Sequence, residues 1–279
     1  MGRVTATRKV WVTDGVEEHT KSDRLAVEEP LEIRVGGEAF SVTMRTPGAD
    51  FELAHGFLLS EGVVSSPQQV RSIRYCAGRD EDDRNTYNVL DVALDGERAE
   101  ALRTARRRIY TTSSCGVCGK ESLEAVMTTS EFSLAEDATS FPAEIVSAMP
   151  VRLREAQRVF DVTGGLHAAG LFDASGELLV LREDVGRHNA VDKVLGWALE
   201  RGMVPLRGIA LCVSGRASFE LAQKAVMAGV PLLAAVSAPS SLAVELAEEA
   251  GLTVAGFVRG SSMNVYSRPE RITTRVTAR

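Results

Sequence analysis

The chain has 279 residues, 44% hydrophobic and 25% charged, which is the balance of an ordinary folded protein. Its formal net charge of −6 argues against broad, non-specific binding of nucleic acid. No apolar run approaches the roughly 20 residues that span a bilayer, and residues 1–20 show no secretory signal. We therefore expect a cytoplasmic protein that binds neither membrane nor nucleic acid, with its four cysteines reduced.

The first part of the chain predicts an α+β arrangement. Residues 31–35 and 40–44 alternate apolar and polar side chains on either side of Gly36-Gly37, which is typical of a β-hairpin. The further predicted elements of this part are a helix over 50–62, strands over 70–76 and 87–94, and a polar helix over 97–108.

From about residue 140 the pattern changes: two strands are predicted on either side of a turn over 173–176, and after the next helix strands alternate with helices. Apolar strands crossed by helices favour a parallel sheet covered on both faces. We predict a mixed α/β fold with an N-terminal α+β domain over 1–140 and an α/β domain over 141–279. The predicted elements are helices over 143–160, 190–199 (amphipathic), 218–229 and 240–251, and strands over 167–172, 178–182, 208–213, 232–236 and 252–258.

Three loops that follow the last three predicted strands share small and hydroxyl-bearing residues. Open α/β sheets bind ligands at the carboxyl ends of their parallel strands. Helix N-termini, hydroxyls and arginines all favour phosphate. Taken singly, each loop is better explained as a cap or a turn, but three in succession favour a phosphate-bearing ligand. The loops are Ser214-Gly215-Arg216-Ala217-Ser218, Ser237-Ala238-Pro239-Ser240-Ser241 and Arg259-Gly260-Ser261-Ser262-Met263-Asn264.

A pair of thiols lies in Ser113-Ser114-Cys115-Gly116-Val117-Cys118-Gly119-Lys120, ahead of a predicted helix. Thiols at a helix start beside a lysine ionise more readily than a free cysteine. Such a thiolate can attack the sulfur of a persulfide and hold the transferred atom. By its position Cys115 is the better candidate nucleophile, with Cys118 as a helper or resolving thiol.

Three other interpretations of this pair stay open. A zinc site needs about four ligands, so His167 or His188 would have to complete it. A thioredoxin-type redox pair is expected after an early strand, whereas this pair lies in the middle of the chain. Structural thiols would sit on an apolar face, as Cys212 is predicted to do, while Cys76 is interpreted as a strand-end residue without a role.

Together the motifs resemble the formate dehydrogenase accessory sulfur carriers, the FdhD/NarQ family, over about residues 28–268. The blocks that carry the resemblance are Met44-Arg45-Thr46-Pro47-Gly48, Glu52-Leu53-Ala54-His55-Gly56-Phe57-Leu58, Ser114-Cys115-Gly116-Val117-Cys118-Gly119-Lys120, Thr163-Gly164-Gly165-Leu166-His167-Ala168-Ala169, Arg182-Glu183-Asp184-Val185-Gly186-Arg187-His188-Asn189-Ala190-Val191-Asp192-Lys193, Ser214-Gly215-Arg216-Ala217-Ser218-Phe219-Glu220 and Phe257-Val258-Arg259-Gly260.

The resemblance implies a sulfurtransferase that takes sulfur from a cysteine desulfurase as a persulfide on Cys115. It would pass that sulfur to the molybdenum of bis(molybdopterin guanine dinucleotide) before the cofactor enters the catalytic subunit of formate dehydrogenase. It also implies a homodimer without a permanent metal. The C-terminal part would have a cytidine-deaminase-like three-layer α/β fold, although alanines follow His167 where a deaminase has its glutamate.

The predicted site therefore has two groups of residues. The catalytic residues are Cys115 and Cys118, and the cofactor-binding residues are Phe257, Val258, Arg259, Gly260, Ser261, Ser262, Ser214, Arg216, Ser237, Ser240 and His188. Asp184 and His188 stand at a helix start, where a structural role is slightly favoured over catalysis.

Two functions of other classes remain as alternatives. One is a chaperone that binds the guanine-nucleotide-bearing cofactor without moving sulfur. The other is a disulfide oxidoreductase, which needs a reversible disulfide between Cys115 and Cys118.

Overall fold

The computed structural model describes residues 3–76, 78, 87–100 and 130–274, and within them the fold is mixed α/β, as predicted. Cys115, Cys118 and the part of the predicted helix over 97–108 that follows residue 100 lie outside these ranges. The described ranges contain no helix that is both long enough and apolar enough to cross a membrane.

The elements before residue 100 are a ribbon, a sheet and a helix. They are β1 (Thr5–Thr13), β2 (Glu18–Ala26), β3 (Glu29–Val35), β4 (Glu38–Arg45), α1 (Asp50–Ser60), a 3₁₀ turn (Pro67–Gln69), β5 (Val70–Tyr75) and β6 (Val89–Leu94). β1 and β2 pair with each other, and the four-stranded sheet has the order β4-β3-β6-β5. The predicted hairpin is confirmed: Gly36 and Gly37 adopt φ of 62° and 85°, a conformation that most side chains disfavour.

The chain from residue 141 onward is organised around a six-stranded sheet. Its elements are β7 (Phe141–Pro142), α2 (Ala143–Ala156), α3 (Phe160–Thr163), β8 (His167–Phe172), β9 (Leu178–Asp184), α4 (Arg187–Glu200), β10 (Ala210–Val213), α5 (Phe219–Met227), β11 (Leu232–Ala235), α6 (Ser241–Ala250), β12 (Thr253–Arg259), β13 (Ser262–Ser267), a 3₁₀ turn (Pro269–Arg271) and β14 (Ile272–Thr273).

The six-stranded sheet has the order β13-β12-β11-β10-β8-β9. β10, β11 and β12 run parallel, whereas β8, β9 and β13 pair antiparallel with their neighbours. The parallel pairing predicted for the strands that alternate with helices is confirmed for β10, β11 and β12, and the two strands predicted on either side of the turn at 173–176 are the antiparallel pair β8 and β9. Residues 262–267, whose beginning was predicted as a loop, turn back as an edge strand.

The helix predicted over 143–160 ends earlier, and a separate short helix begins at Phe160. α2 ends at Ala156, and the carboxylate of Glu183 accepts hydrogen bonds from the backbone amides of Val159 and Phe160, at 2.9 and 2.7 Å. Unpaired amides at a helix start need such acceptors, so Glu183 allows α3 to begin as a separate helix. Gly164, in the left-handed conformation, ends α3.

Helices cover both faces of the six-stranded sheet. α2 packs on one face, and α4, α5 and α6 contribute to the larger core on the other. α4 was predicted to be amphipathic, but 10 of its 14 residues are buried. The physical reason is that α4 lies between the strands β8 and β9 and helix α1, so it has little surface left for solvent.

α1 crosses α4 at a distance that requires glycine on both helices. A Cβ atom on Gly56 would lie 1.8 Å from the carbonyl oxygen of Asp192, and one on Gly196 would lie 1.8 Å from that of Glu52. The same hydrophobic core includes residues before position 95 and residues after position 134. The division into domains at residue 140 stays a prediction, but the described residues on its two sides are packed together.

Candidate functional site

The loops after β10, β11 and β12 lie side by side at one edge of the sheet. The backbone amide of Ser237 donates a hydrogen bond to the carbonyl of Gly215 at 3.3 Å, and that of Phe257 donates to the carbonyl of Ser237 at 3.2 Å. The antiparallel strands bring the start of β8 and the end of β9 to this edge too, where His167 pairs with Asp184. We call this side of the sheet the carboxyl edge.

A cavity of about 660 Å³ opens at the carboxyl edge and also touches α2 and α3. This volume suits a small-molecule ligand. Four of the predicted cofactor residues line the cavity, namely Ser214, Val258, Arg259 and Gly260. The other lining residues of this edge cavity are Pro150, Val151, Leu153, Arg154, Glu155, Gln157, Phe160, Gly164, Gly165, Leu166, His167, Val185 and Val236.

Polar groups from three elements face an otherwise largely apolar edge cavity. Arg259 is exposed at the end of β12. Arg154 of α2 lies over the ring of Phe160, 4.7 Å from the ring centre, and pairs with Asp161 at 2.6 Å. The Ser214 oxygen accepts a hydrogen bond from the amide of Ala168 at 2.9 Å, which leaves the hydroxyl proton available for a ligand.

His167 adds an imidazole to the edge cavity. Burial and, secondarily, the positive charge of Arg187 lower the pKa of His167, and Asp184 opposes them. The ring is therefore neutral near pH 7, with one nitrogen that donates a hydrogen bond and one that accepts. Gly215 lies against this ring, since a Cβ atom there would be 3.6 Å from Nδ1.

The loop predicted after β12 is a tight turn. Arg259 pairs with Ser262 across β12 and β13, so only Gly260 and Ser261 connect the two strands. The hydroxyl of Ser262 donates to the carbonyl of Arg259 at 3.2 Å. The predicted loop over 259–264 is therefore wrong beyond Ser261, because the chain pairs back at once. Gly260 and Ser261 also line a neighbouring groove on α2.

Besides Ser261 and Ser262, four predicted cofactor residues lie at the carboxyl edge and are not among the lining residues of the edge cavity. Ser240 caps α6, because its hydroxyl oxygen accepts a hydrogen bond from the amide of Ala243 at 3.3 Å. The backbone amide of Ser237 donates a hydrogen bond to Gly215, and its carbonyl accepts one from Phe257. Arg216 and Phe257 are exposed, and Phe257 has a left-handed φ of 51°. Ligand contact stays a prediction for these four, as it does for the residues that line the edge cavity.

His188 lies in a different cavity, which is lined by residues of β4, α1, α4 and α5. Its Nε2 contacts the carboxylate of Glu220. Burial lowers the pKa of His188, while the charge of Glu220 acts in the opposite direction. The structure does not bring His188 to the edge cavity with Arg259.

Buried hydrogen bonds from the motif over 182–193 attach the end of β4 and the loop after it to the six-stranded sheet. The fully buried carboxylate of Asp184 accepts hydrogen bonds from Lys193 Nζ at 2.6 Å and from the amide of Thr46 at 3.1 Å. Lys193 Nζ also donates to the carbonyl of Thr46 at 2.8 Å. Asn189 donates to Asp184 and to the carbonyl of Met44. We call these five residues the junction cluster, and its role is structural.

A second buried pair strengthens the same contact. Lys224 of α5 donates to both carboxylate oxygens of Asp192 on α4, at 2.8 and 2.9 Å. The hydroxyl of Ser60, at the end of α1, donates to the same carboxylate at 2.7 Å. Three helices are thus joined through one carboxylate.

Arg154, Phe160 and His167 are among the cavity residues that the sequence reasoning missed. Phe160 was assigned to the end of a long helix, and His167 was considered only as a motif member and a zinc ligand. One signal could have found His167. This residue begins β8, and β8 pairs with β10, which ends one residue before Ser214. Arg154 and Phe160 carry no comparable signal, because the break at Ala156 depends on Glu183.

The two cysteines within the described residues agree with their structural interpretation. Cys212 is buried in β10, and burial raises its pKa to about 12. Cys76 is half-buried just after β5. Among the described residues no three His, Cys, Asp or Glu side chains are grouped as for a metal ion. Cys115 and Cys118 lie outside these residues, so their roles stay predictions.

Comparison with known proteins gives consistent matches. A family model described as the FdhD/NarQ family matches residues 26–273. A protein named Sulfur carrier protein FdhD from Mycolicibacterium paratuberculosis is 61% identical over 270 residues, 97% of this chain and 99% of that protein. One of the same name from Nocardia farcinica is 57% identical over 271 residues, 97% of this chain and 96% of that protein.

A solved structure has the same fold. The crystal structure of a formate dehydrogenase accessory protein from Desulfotalea psychrophila matches with a TM-score of 0.76 and 23% identity, over 97% of this chain and 100% of that chain. The family model covers most of this chain, including the junction cluster and the edge cavity. This chain therefore belongs to the FdhD/NarQ family.

Proposed function

We propose that this protein is a sulfur carrier that accepts persulfide sulfur on Cys115. It delivers the sulfur to the molybdenum of bis(molybdopterin guanine dinucleotide), a substrate that the edge cavity holds in part. The observation that carries the proposal is the match along 97% of the chain to a protein named as a sulfur carrier, in a sequence that contains Cys115-Gly116-Val117-Cys118.

The loading step balances without an oxidant. The Cys115 thiolate attacks the outer sulfur of a donor persulfide, the donor S–S bond breaks, and the donor leaves as a thiolate that takes up a proton. A route for release is attack of the Cys118 thiolate on the Cys115 sulfur. This forms a disulfide between the two cysteines and expels the outer sulfur as sulfide, so the pair supplies the two electrons.

The edge cavity supports the second half of the proposal by its size and chemistry. A volume of about 660 Å³ accommodates one guanine nucleotide moiety of the cofactor. Arg259 is an exposed guanidinium suited to a phosphate, and Ser214 and the neutral His167 add hydrogen-bond donors. The apolar floor, which includes Leu153 and Val258, suits the base.

The biological setting is part of the same proposal. The sulfur donor would be a cysteine desulfurase, the recipient of the finished cofactor would be the catalytic subunit of formate dehydrogenase, and the protein would act as a homodimer in the cytoplasm. The alternative is a cofactor-binding chaperone without sulfur transfer. The observation that favours it is that described lining residues of the edge cavity, such as Arg259 and Ser214, suit a nucleotide by their own chemistry.

The first experiment is intact-mass spectrometry after incubation with a cysteine desulfurase and cysteine. We expect wild type to gain sulfur that a reductant removes, and Cys115→Ala to gain none. Cys118→Ala should still load but should retain its sulfur longer. If wild type gains no sulfur while the desulfurase is demonstrably loaded, the carrier function is wrong and the chaperone is favoured.

A second experiment tests the cavity with guanosine diphosphate as the probe. Arg259→Ala should weaken binding by about tenfold, the effect expected when a charge-assisted bond to phosphate is lost. Arg207→Ala is the matched control, since Arg207 precedes the opposite end of β10. Equal binding by both variants would show that the nucleotide does not bind through Arg259.

A further inference from the structure

A cavity of about 390 Å³ opens at the start of α1 and shares no lining residue with the edge cavity. Three aromatic rings line it. The ring centres of Phe51 and Tyr75 are 5.3 Å apart, and those of Tyr75 and Tyr87 are 5.2 Å apart. Phe51 and Tyr87 remain 40% and 39% exposed, although each ring contacts the ring of Tyr75. We call this cavity, with Glu29 and Glu200 at its opening, the aromatic pocket.

The charge of the aromatic pocket is negative. Four carboxylates line it; Glu52 is paired with Arg182, and Glu200 contacts His55 Nδ1 at 3.0 Å and, through its other oxygen, Arg201 at 3.9 Å. The cation among the described lining residues, Arg45, is only 1% exposed. Arg45 is engaged with Asp50 at 3.0 Å and with one oxygen of Glu29 at 3.2 Å. The side chains of Glu29 and Glu200 remain 38% and 30% exposed. Their carboxylates are therefore accessible from solvent while the resident guanidinium is not.

The pocket is held in shape before any ligand arrives. The hydroxyl of Tyr75 donates to Asp50 at 3.0 Å, and Asp50 is fixed by two hydrogen bonds from Arg45. Ala49 and Tyr87 both line the pocket with left-handed φ values of 54° and 50°. Such backbone conformations in residues other than glycine persist where the surrounding structure enforces them. The central ring therefore needs no rearrangement to receive a ligand.

We propose that the aromatic pocket binds an arginine side chain presented by a partner protein. A guanidinium can stack its plane on an aromatic ring while it donates hydrogen bonds to carboxylates at the rim. A neutral side chain of the same shape would gain the stacking but not the ion pairs, and an anion would be repelled. The pocket thus serves protein docking and is separate from the nucleotide-sized edge cavity.

The test is an NMR titration of the full chain with the peptide acetyl-Gly-Gly-Arg-Gly-Gly-amide. Matched peptides carry citrulline, which has the shape of arginine without its charge, or lysine. We expect the arginine peptide to shift the ring signals of Phe51 and Tyr87. It should bind about fivefold to tenfold more weakly to Tyr87→Leu and to Glu29→Gln, as loss of a cation–π or ionic contact implies. Trp11→Leu is the control, because Trp11 is 63% exposed on β1 and does not line the pocket.

Each outcome of the titration decides the proposal. Equal binding of the citrulline peptide, equal binding of the lysine peptide, or ring signals that do not move would overturn it. Thermal unfolding of each variant shows whether the fold is retained. Should Glu29→Gln disturb Arg45, Phe51→Leu replaces it, since this substitution removes a half-exposed ring and no hydrogen bond from a side chain. The measurement involves neither Cys115 nor the nucleotide, so its result is independent of the proposed sulfur transfer.

Discussion

The junction cluster and the edge cavity use polar residues in opposite ways. In the junction cluster Asp184 and Lys193 are 0% and 2% exposed, and their charges are satisfied within the protein. At the edge cavity Arg259 is exposed, and Ser214 retains a hydroxyl proton for another acceptor. Motifs of similar composition thus serve different purposes. Polar residues with unused hydrogen-bonding capacity are the ones that a ligand can use.

The largest expected effect comes from the glycines of the α1–α4 contact. Gly56→Ala would place a methyl group 1.8 Å from the carbonyl oxygen of Asp192, so the helices must separate. We expect a loss of about 3 kcal/mol or more in the free energy of unfolding, measured by urea denaturation. Gly96→Ala is the control, because a Cβ atom there would meet nothing within 4 Å. Equal stability of the two variants would show that the close contact is absent.

Removing one member of the buried ion pair should have the next largest effect. Lys193→Met leaves the Asp184 carboxylate buried without its cation, which typically costs about 3 kcal/mol. Denaturation and nucleotide binding should be measured together, since the variant that remains folded should still bind guanosine diphosphate. Arg207→Met breaks an exposed pair with Glu136 and should change stability by less than about 0.5 kcal/mol. A stable Lys193→Met protein would contradict the structural role of the cluster.

Ser240 can be tested for both roles of a polar residue, stabilising the fold and binding a ligand. Its hydroxyl caps α6, so Ser240→Ala should lower the free energy of unfolding by about 1 kcal/mol. If capping is its whole role, the affinity for guanosine diphosphate stays at the wild-type value. Ser214→Ala should weaken binding because it removes the free hydroxyl proton, and it should also lower stability because the amide of Ala168 loses its acceptor. A loss of binding in Ser240→Ala that exceeds its loss of stability would make Ser240 a ligand residue.

The smallest expected effect is the pH dependence of the two half-buried imidazoles, His167 and His188. Burial lowers the pKa of both His167 and His188, so the unfolded chain binds their protons more readily than the folded protein does. Stability from this source is present above about pH 6.5 and declines as the pH falls below that value. The melting temperature should therefore drop between pH 7 and pH 5.5, and His188→Gln or His167→Gln should reduce that drop. An unchanged drop in both variants would count against this explanation.

Much of the local structure could be predicted from the sequence. The hairpin around Gly36-Gly37, the helix α1 and the alternation of strands and helices after residue 205 are confirmed. The edge cavity could be predicted in part, since Ser214, Val258, Arg259 and Gly260 come from the predicted strand ends. These features follow from side-chain periodicity and turn chemistry, which are interactions between neighbours in the chain.

The sequence by itself determined the family, the strand and helix pattern of the sheet, and a carboxyl edge rich in serine and arginine. Only the tertiary structure decided which polar residues are hydrogen-bonded within the protein and so stabilise the fold. Lys193 donates to Thr46 across 147 residues, and Ser60 donates to Asp192 across 132. Only the tertiary structure, likewise, brought Arg154 and His167 to the same cavity as Arg259. Contacts between segments so far apart depend on helix crossing and strand order, and no local pattern of residue types encodes them.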